Sequence, residues 1–244
     1  MDVLIIVPTY NEIDNLEPLI QAIFQHVPQS HILVVDDNSP DGTGKRADLL
    51  AQQESRIQVL HRSQKEGLGQ AYLAGFRYAL QKNYRIIVQM DADFSHPPEL
   101  LPKLIAPCRE GSADLCLGSR YVKGGHIEGW SFFRRTISSF GSIYARFWLR
   151  VSVRDLTGGF KCWKREVLES IEFENLQSSG YCFQIELTYR AHLHHFKIVE
   201  IPIHFPERIY GKSKMSMKIA LEAAYRVPLM PHTIKFSTEI SNKI

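Results

Sequence analysis

No run of apolar residues in this chain comes near the roughly 20 that a membrane-spanning helix requires. Val3 to Val7 is apolar, but Pro8 ends the run far short of an export signal. Any membrane contact is therefore expected to be peripheral, or made through a partner. Cysteine is scarce, with four in 244 residues, Cys108, Cys116, Cys162 and Cys182. None forms a Cys-x-x-Cys pair, so a disulfide framework or a zinc site is not expected. Cys116 and Cys162 lie in apolar runs, as small buried hydrophobes do, and a reducing compartment fits. A large charge of one sign is also lacking: the formal net charge is +3, which argues against a nucleic-acid binder. There is no internal repeat, low-complexity tract or clear linker. The length suits one sizeable core, and we expect a single domain over 1–225 with 226–244 as a C-terminal tail.

What is present is alternation. Val3-Leu4-Ile5-Ile6-Val7 reads as a buried strand. Leu16, Leu19, Ile20 and Ile23 follow at helical spacing behind Asn11 and Asp14, both plausible caps. Ile32 to Val35 is a second strand, followed by a helix over Gly44 to Gln53 and a strand over Ile57 to Leu60. Gly67 to Gln81 reads as a helix and Ile86-Ile87-Val88 as the next strand. This pattern predicts an α/β fold with a mostly parallel sheet and helices on both faces. Beyond it the reading is coarser. Leu115-Cys116-Leu117 is a short strand, about Phe132 to Arg150 is helical, and Asp155 to Phe160 is a Gly-rich turn. Phe183 to Leu193 reads as a helix, Lys197 to Ile203 as a strand, and a final helix follows Arg208 to Lys214.

Such sheets bind ligands beyond the carboxyl ends of their strands. Three strands end there in polar groups: Pro8-Thr9-Tyr10-Asn11-Glu12, Asp36-Asp37 and Asp91-Ala92-Asp93. Two carboxylates one residue apart can both face a divalent cation, and hard cations such as Mg²⁺ or Mn²⁺ take oxygen ligands shared with phosphates. The bland alternative is a turn with two solvated acids. Asp37 can accept hydrogen bonds from a base or ribose, or else cap the next helix, a job Asp41 could share. Pro8 and Tyr10 could wall a nucleobase with Glu12 as acceptor, or simply form a helix-entry loop. Arg120, Arg134, Arg208 and Lys214 are candidate phosphate ligands.

The span from Arg120 to Arg165 holds ten basic residues against two acids, Glu128 and Asp155. This suits an anionic partner or a solvated basic face. Within it, Trp130, Phe132, Phe133, Phe140, Tyr144, Phe147 and Trp148 mix with arginines. Two readings stand here: an amphipathic helix at a membrane interface, or a helix with its aromatic face in the core.

Taken together the motifs resemble family 2 glycosyltransferases. They are Val-Pro-Thr-Tyr-Asn-Glu at 7–12, Val-Val-Asp-Asp-Asn-Ser-Pro-Asp-Gly-Thr at 34–43, Gly-Leu-Gly-Gln-Ala-Tyr at 67–72, Met-Asp-Ala-Asp-Phe-Ser-His-Pro-Pro at 90–98 and Gly-Ser-Arg-Tyr-Val at 118–122. With Asp-Leu-Thr-Gly-Gly-Phe at 155–160 and Arg-x-x-Gly-x-Ser-Lys at 208–214, the chain looks like the dolichol-phosphate (polyprenol-phosphate) mannosyltransferases. The resemblance implies a GT-A fold and a sugar-nucleotide donor, typically GDP-mannose. By position it implies Pro8, Tyr10, Glu12, Val35 and Asp37 at the nucleoside, and Asp91, Ala92 and Asp93 at the diphosphate. Asp91 and Asp93 would hold Mg²⁺ or Mn²⁺. Arg120, Arg208 and Lys214 would contact phosphates, and Arg134 with Ser138 the lipid phosphate. Some members carry a Gln as third metal ligand two residues after the second Asp, where this chain has Ser95. The Gln-x-x-Arg-Trp of processive synthases and the C-terminal membrane helices of many relatives do not occur here. The implied protein is cytoplasmic and peripheral on the cytoplasmic membrane face, with a small membrane partner possible.

The implied reaction is an inverting transfer of mannose to a polyprenyl phosphate. Asp91, Asp93 and Arg120 are its expected catalytic residues. Two alternatives stand beside it. One is transfer from another donor such as UDP-glucose, or to a hydroxyl, with Asp155 or a neighbour as base. The other is a non-catalytic nucleotide-sugar-binding subunit, against which the intact Asp91/Asp93 pair argues.

Overall fold

In a computed structural model of the chain, residues 2–130, 132–173, 176, 178, 180–206 and 217–234 are described, with side chains at all of these except 132–134, 180, 181 and 217–221. The sheet has seven strands: β1 (Val3–Thr9), β2 (His31–Asp36), β3 (Ile57–His61), β4 (Ile86–Gln89), β5 (Leu115–Ser119), β7 (Lys161–Lys164) and β8 (Ile198–Pro202). Their order is β3-β2-β1-β4-β7-β5-β8. Pairing is parallel from β3 to β4 and between β5 and β8, and β7 runs antiparallel to both its neighbours. Two short parallel strands, β6 (His126–Ile127) and β9 (His204–Phe205), form a separate pair.

Every residue of β1 is buried, as expected for a strand covered on both faces. Alternation divides it between two cores. Leu4 and Ile6 face a core closed by α3 (Leu68–Gln81), α5 (Phe132–Leu149), α7 (Gly180–Leu193) and α8 (Met217–Thr233). Val3, Ile5 and Val7 face one closed by α1 (Ile13–His26), α2 (Thr43–Gln53) and α4 (Leu101–Arg109). All four cysteines are buried thiols. A short helix, α6 (Arg165–Ser170), follows β7.

Helix α3 lies close over β1 because position 75 is glycine. A β-carbon there would sit 2.6 Å from Cγ2 of Ile6. Alanine would gain up to about 1 kcal/mol in helix propensity, but overpacking of this kind costs about 1–3 kcal/mol. Gly75→Ala is therefore expected to destabilise the chain, read as a lower urea midpoint. A midpoint at or above the wild-type value would show that α3 can shift outward.

Two elements depart from the sequence reading. Lys161–Lys164 is a strand, although it follows the expected Gly-rich turn directly and carries lysine at both ends. It is legible only from its partners, β4 and β5, which lie far off in sequence. Helix α8 crosses the 225/226 boundary expected between domain and tail, and Val227 and Met230 are buried in the core. Helix α5 matches its expected span and divides its aromatics. Ser138, Ser142, Ala145 and Leu149 face inward, while Phe140 is 66% and Phe147 76% exposed. Ile143 and Trp148 are exposed beside them. Among the described side chains Phe140, Phe147 and Trp148 point out, while Tyr144 is half-buried against the core and donates to the Ala224 carbonyl.

Candidate active site

Registers Pro8↔Val35 and Thr9↔Asp36 bring the ends of β1 and β2 level, and the Met90 amide donates to the Ile6 carbonyl just beyond β4. The three polar strand ends therefore share one edge of the sheet, as the α/β reading requires. Their loops are tied together. The Asn11 amide donates to Ser39 Oγ, the Glu12 amide to Thr43 Oγ1, and the Ile13 amide to Asp41 Oδ2.

The neighbouring acids Asp36 and Asp37 have separate tasks. Asp36 is buried and accepts from Thr9 Oγ1, the Ser39 amide and Ser39 Oγ. Asp37 faces the other way and pairs with Arg62, which also holds Glu66. Burial raises the Asp37 carboxyl above its ordinary value, with Arg62 opposing. The capping alternative for Asp37 does not apply, because Asp41 Oδ1 takes both the amide (2.9 Å) and hydroxyl (2.6 Å) of Thr43 at the start of α2. Tyr10 is half-buried with the Lys65 ammonium 3.7 Å from its ring centre. Pro8 is buried, and Glu12 accepts from Asn15 Nδ2. Val35 is wholly inside the core, so its side chain offers a ligand no surface.

Asp91 and Asp93 are held in different ways. The Tyr72 hydroxyl donates to Asp91 Oδ1 at 2.7 Å. Burial, then the charge of Asp91, pushes that phenol well above its ordinary value, which keeps it a donor. The Asp91 amide donates to His96 Nδ1, and His96 stacks on Phe160. Asp93 Oδ1 accepts from the amide and the hydroxyl of Ser95. Ser95 thus orients Asp93. Ala92 is buried between the two acids. An all-oxygen carboxylate pair, oriented by neighbours, is the donor chemistry that Mg²⁺ or Mn²⁺ takes. A second grouping is exposed His126 and Glu128, on and just after β6, with half-buried His204 on β9. Its His126 Nε2 and His204 Nδ1 lie 2.6 Å apart, whereas two tetrahedral zinc ligands stand roughly 3.3 Å apart.

Arg120, expected to reach phosphates, holds Asp155 in this structure. Its Nε and Nη2 donate to the two Asp155 oxygens at 2.8 and 2.7 Å, and its backbone amide donates to Oδ2. Both residues are buried, and Trp130 and Phe205 face the guanidinium. Burial alone would raise the Asp155 carboxyl, but the Arg120 charge and hydrogen bonds bring it below the usual range. Ser138 is buried on α5 and accepts from the Tyr121 hydroxyl at 2.7 Å. Arg208, Lys214 and the side chain of Arg134 lie outside the described residues.

The structure adds a buried polar layer, close to Gly159, that sequence reading missed. Lys161, counted above in a basic block, is fully buried and donates to the Gln184 carbonyl and Thr188 Oγ1. Burial pulls its ammonium down to about 7, with Asp155 opposing. Beside it, Gln89 accepts from Trp163 Nε1. Among the described residues, Gln89 Nε2 and both amide atoms of Gln184 have no hydrogen-bond partner. Each such group costs about 1–3 kcal/mol when buried. Only the i, i+4 spacing of Gln184 and Thr188 hinted at this in sequence.

A sequence profile of Glycosyl transferase family 2 matches residues 4–172. The polyprenol monophosphomannose synthase of Mycolicibacterium smegmatis is 49% identical over 225 residues, 92% of this chain and 84% of that protein. The undecaprenyl-phosphate mannosyltransferase of Micrococcus luteus is 46% identical over 227 residues, 93% of each chain. Among solved structures, glucosyl-3-phosphoglycerate synthase from Mycobacterium tuberculosis, in complex with Mn²⁺, UDP and phosphoglyceric acid, superposes with a TM-score of 0.68. It is 21% identical, with 97% of this chain and 80% of that one covered. The same enzyme with Mg²⁺ and UDP gives a TM-score of 0.69 at 20% identity, covering 97% and 81%.

Proposed function

The chain belongs to glycosyl transferase family 2 and has its GT-A fold, and on that premise we propose that it transfers mannose from GDP-mannose to a polyprenyl monophosphate with inversion. The two mannosyltransferase relatives, each matched over more than nine-tenths of this chain, support the sugar and the lipid phosphate. An oxygen of the acceptor phosphate attacks the anomeric carbon while the bond from that carbon to the diphosphate oxygen breaks, and GDP departs. A phosphate monoester is largely ionised near pH 7, so no general base is required.

The observation that carries this reading is the state of Asp155. It is the acid named first as base for a hydroxyl acceptor, ahead of its neighbours, yet it is 0% exposed and bonded to Arg120 through both oxygens. Asp37, Tyr10, Glu12 and Pro8 form the nucleoside side of the pocket. Asp91 and Asp93 would hold a divalent cation, Mg²⁺ or Mn²⁺, which when bound neutralises charge on the diphosphate. Arg120 anchors the 155–160 loop beside them. Arg134, Arg208 and Lys214 remain the proposed phosphate ligands, with Ser138 and Tyr121 bordering the acceptor phosphate.

No helix among the described residues is long and apolar enough to cross a membrane. The outward aromatic face of α5, with Arg135 and Arg150 exposed on the same helix or at its end, suits a bilayer interface. We place the enzyme peripherally on the cytoplasmic face, with or without a small membrane partner.

The test offers radiolabelled GDP-mannose and UDP-glucose to polyprenyl phosphate and to hydroxyl acceptors, with and without Mn²⁺. The expected product is a mannosylated lipid phosphate, formed only with the cation. Glucose transfer, or transfer to a hydroxyl at a comparable rate, would overturn the reading.

A further inference from the structure

Strands β6 and β9 pair in parallel, with His126 opposite His204 and Ile127 opposite Phe205. Side chains alternate along a strand, so His126 and Glu128 lie on one face together with His204 across the pair. Ile127 and Phe205 take the other face. There the Phe205 ring meets His96 and Trp130 edge-on and faces the Arg120 guanidinium. The His126 amide donates to the Ile203 carbonyl and the Glu128 amide to the Phe205 carbonyl. The backbone beneath the three polar side chains is thereby fixed.

The side chains converge. His126 Nε2 is 2.6 Å from His204 Nδ1 and 3.6 Å from Glu128 Oε1. Glu128 Oε2 is 3.2 Å from His204 Nε2. Each side chain is at least 39% exposed, so a solvated ion reaches all three. Among the described residues, no other group of three His, Cys, Asp or Glu side chains brings its ligand atoms together.

The donor set narrows the ion. Two imidazoles and a carboxylate suit borderline first-row cations, whereas Mg²⁺, Ca²⁺ and Mn²⁺ take oxygen. Spacing narrows it further. Nitrogens about 2.0 Å from an ion stand about 2.8 Å apart at a right angle and about 3.3 Å apart at the tetrahedral angle. At 2.6 Å one ring N–H donates to the other ring. From there the rings must part by only about 0.2 Å for the right angle, against about 0.7 Å for the tetrahedron. Right-angle coordination by nitrogen and oxygen is the habit of Ni²⁺ and Cu²⁺.

We infer that His126 Nε2, His204 Nδ1 and a Glu128 oxygen form a binding site for a tetragonal divalent cation, Ni²⁺ or Cu²⁺, separate from the Asp91/Asp93 pair. Water completes the coordination. The ion takes the place of the proton shared by the two rings and ties β6 to β9. It thereby holds Phe205 in the wall beside Arg120. The site is independent of which sugar or acceptor the enzyme uses.

The test titrates Ni²⁺ into the full chain by calorimetry, with excess Mg²⁺ present to occupy the carboxylate pair. Wild type is compared with His126→Ala, His204→Ala, Glu128→Gln and, as a control at a histidine on α7, His192→Ala. All four side chains are exposed or half-buried, so the variants are expected to fold, and a thermal melt of each checks this. One tightly bound ion per wild-type chain is expected. Affinity should fall at least about tenfold in either His126→Ala or His204→Ala, and by less in Glu128→Gln. It should stay within about twofold in His192→Ala. An ion that binds the folded chain stabilises it, so Ni²⁺ should raise the melting temperature of wild type and not that of His204→Ala. The EPR spectrum of Cu²⁺-loaded wild type should show coupling to two nitrogens, and that of His126→Ala to one. Zn²⁺ should bind more weakly than Ni²⁺.

Ni²⁺ affinities of His126→Ala and His204→Ala within about twofold of wild type would overturn the inference. So would an equal loss in His192→Ala, or a copper spectrum without two nitrogens. Tighter binding of Zn²⁺ than of Ni²⁺ would overturn the assignment of a tetragonal ion.

Discussion

Asp91→Asn is expected to cut mannosyl transfer by at least about 100-fold while leaving the fold intact. The substitution keeps the shape of the side chain, and an amide oxygen still accepts from the Tyr72 hydroxyl, now 2.7 Å from Asp91 Oδ1. What it removes is a full negative charge from the carboxylate pair. A cation held there is worth several kcal/mol of charge stabilisation, and each 1.36 kcal/mol is a factor of ten in rate. The variant should also need far more Mn²⁺ to reach half-maximal rate. Initial rates over a Mn²⁺ titration, beside a thermal melt, check both statements. Near-normal turnover with a normal melt would remove Asp91 from the catalytic role.

The second large effect concerns stability. Asp155→Leu or Arg120→Met alone is expected to cost about 3–5 kcal/mol, because each leaves its partner's charge buried without a counter-charge. Asp155 is fully buried and Arg120 nearly so, and two side-chain hydrogen bonds below 3 Å join them. The double variant Arg120→Met with Asp155→Leu should recover much of that loss, since an apolar pair of similar volume often replaces a buried ion pair without penalty. Urea unfolding of the four proteins gives the coupling; additive losses would show that the pair is not the source. The pH dependence follows from the direction of the shift. Asp155 is held below its ordinary value in the folded state. Its contribution is fully present above the unfolded carboxyl's value of about 3.9. It is lost as pH falls through the lower folded value. Wild type should therefore hold this stability at neutral pH and shed it in acid, and Asp155→Asn should lack that acid-dependent loss.

Much of the first half of the fold was legible because its strands are continuous apolar runs and their ends are acids. Ile86 to Val88 reads as a strand, and the position of Asp91 and Asp93 after it follows from chain order alone. The roles of neighbouring acids were not legible. Asp36 and Asp37 are the same residue type side by side, and strand alternation sends one to Thr9 and Ser39 and the other to Arg62. In the same way Arg120, Lys161 and Arg135 look alike in a basic span, yet the first two are buried and the third exposed. Charge counting along a chain cannot separate them, because burial is set by partners distant in sequence. For Arg120 that partner is Asp155, 35 residues on. The aromatics of α5 were open to two readings for a related reason. Helical period groups them on a face but does not say which face meets the core, and only packing against α8 and the sheet turns Ala145 and Leu149 inward.

The sequence by itself determined the alternating α/β architecture of the first half, the level placement of three polar strand ends, and the position of Asp91-Ala92-Asp93 just beyond β4. These follow from local periodicity and chain order, which act over a few residues. The tertiary structure alone decided that β7 inserts antiparallel between β4 and β5, that Asp155 is held by Arg120, and that Lys161 is buried against Gln184 and Thr188 on α7. Each of these depends on contacts between segments tens of residues apart, where burial, not local pattern, sets what a side chain can do.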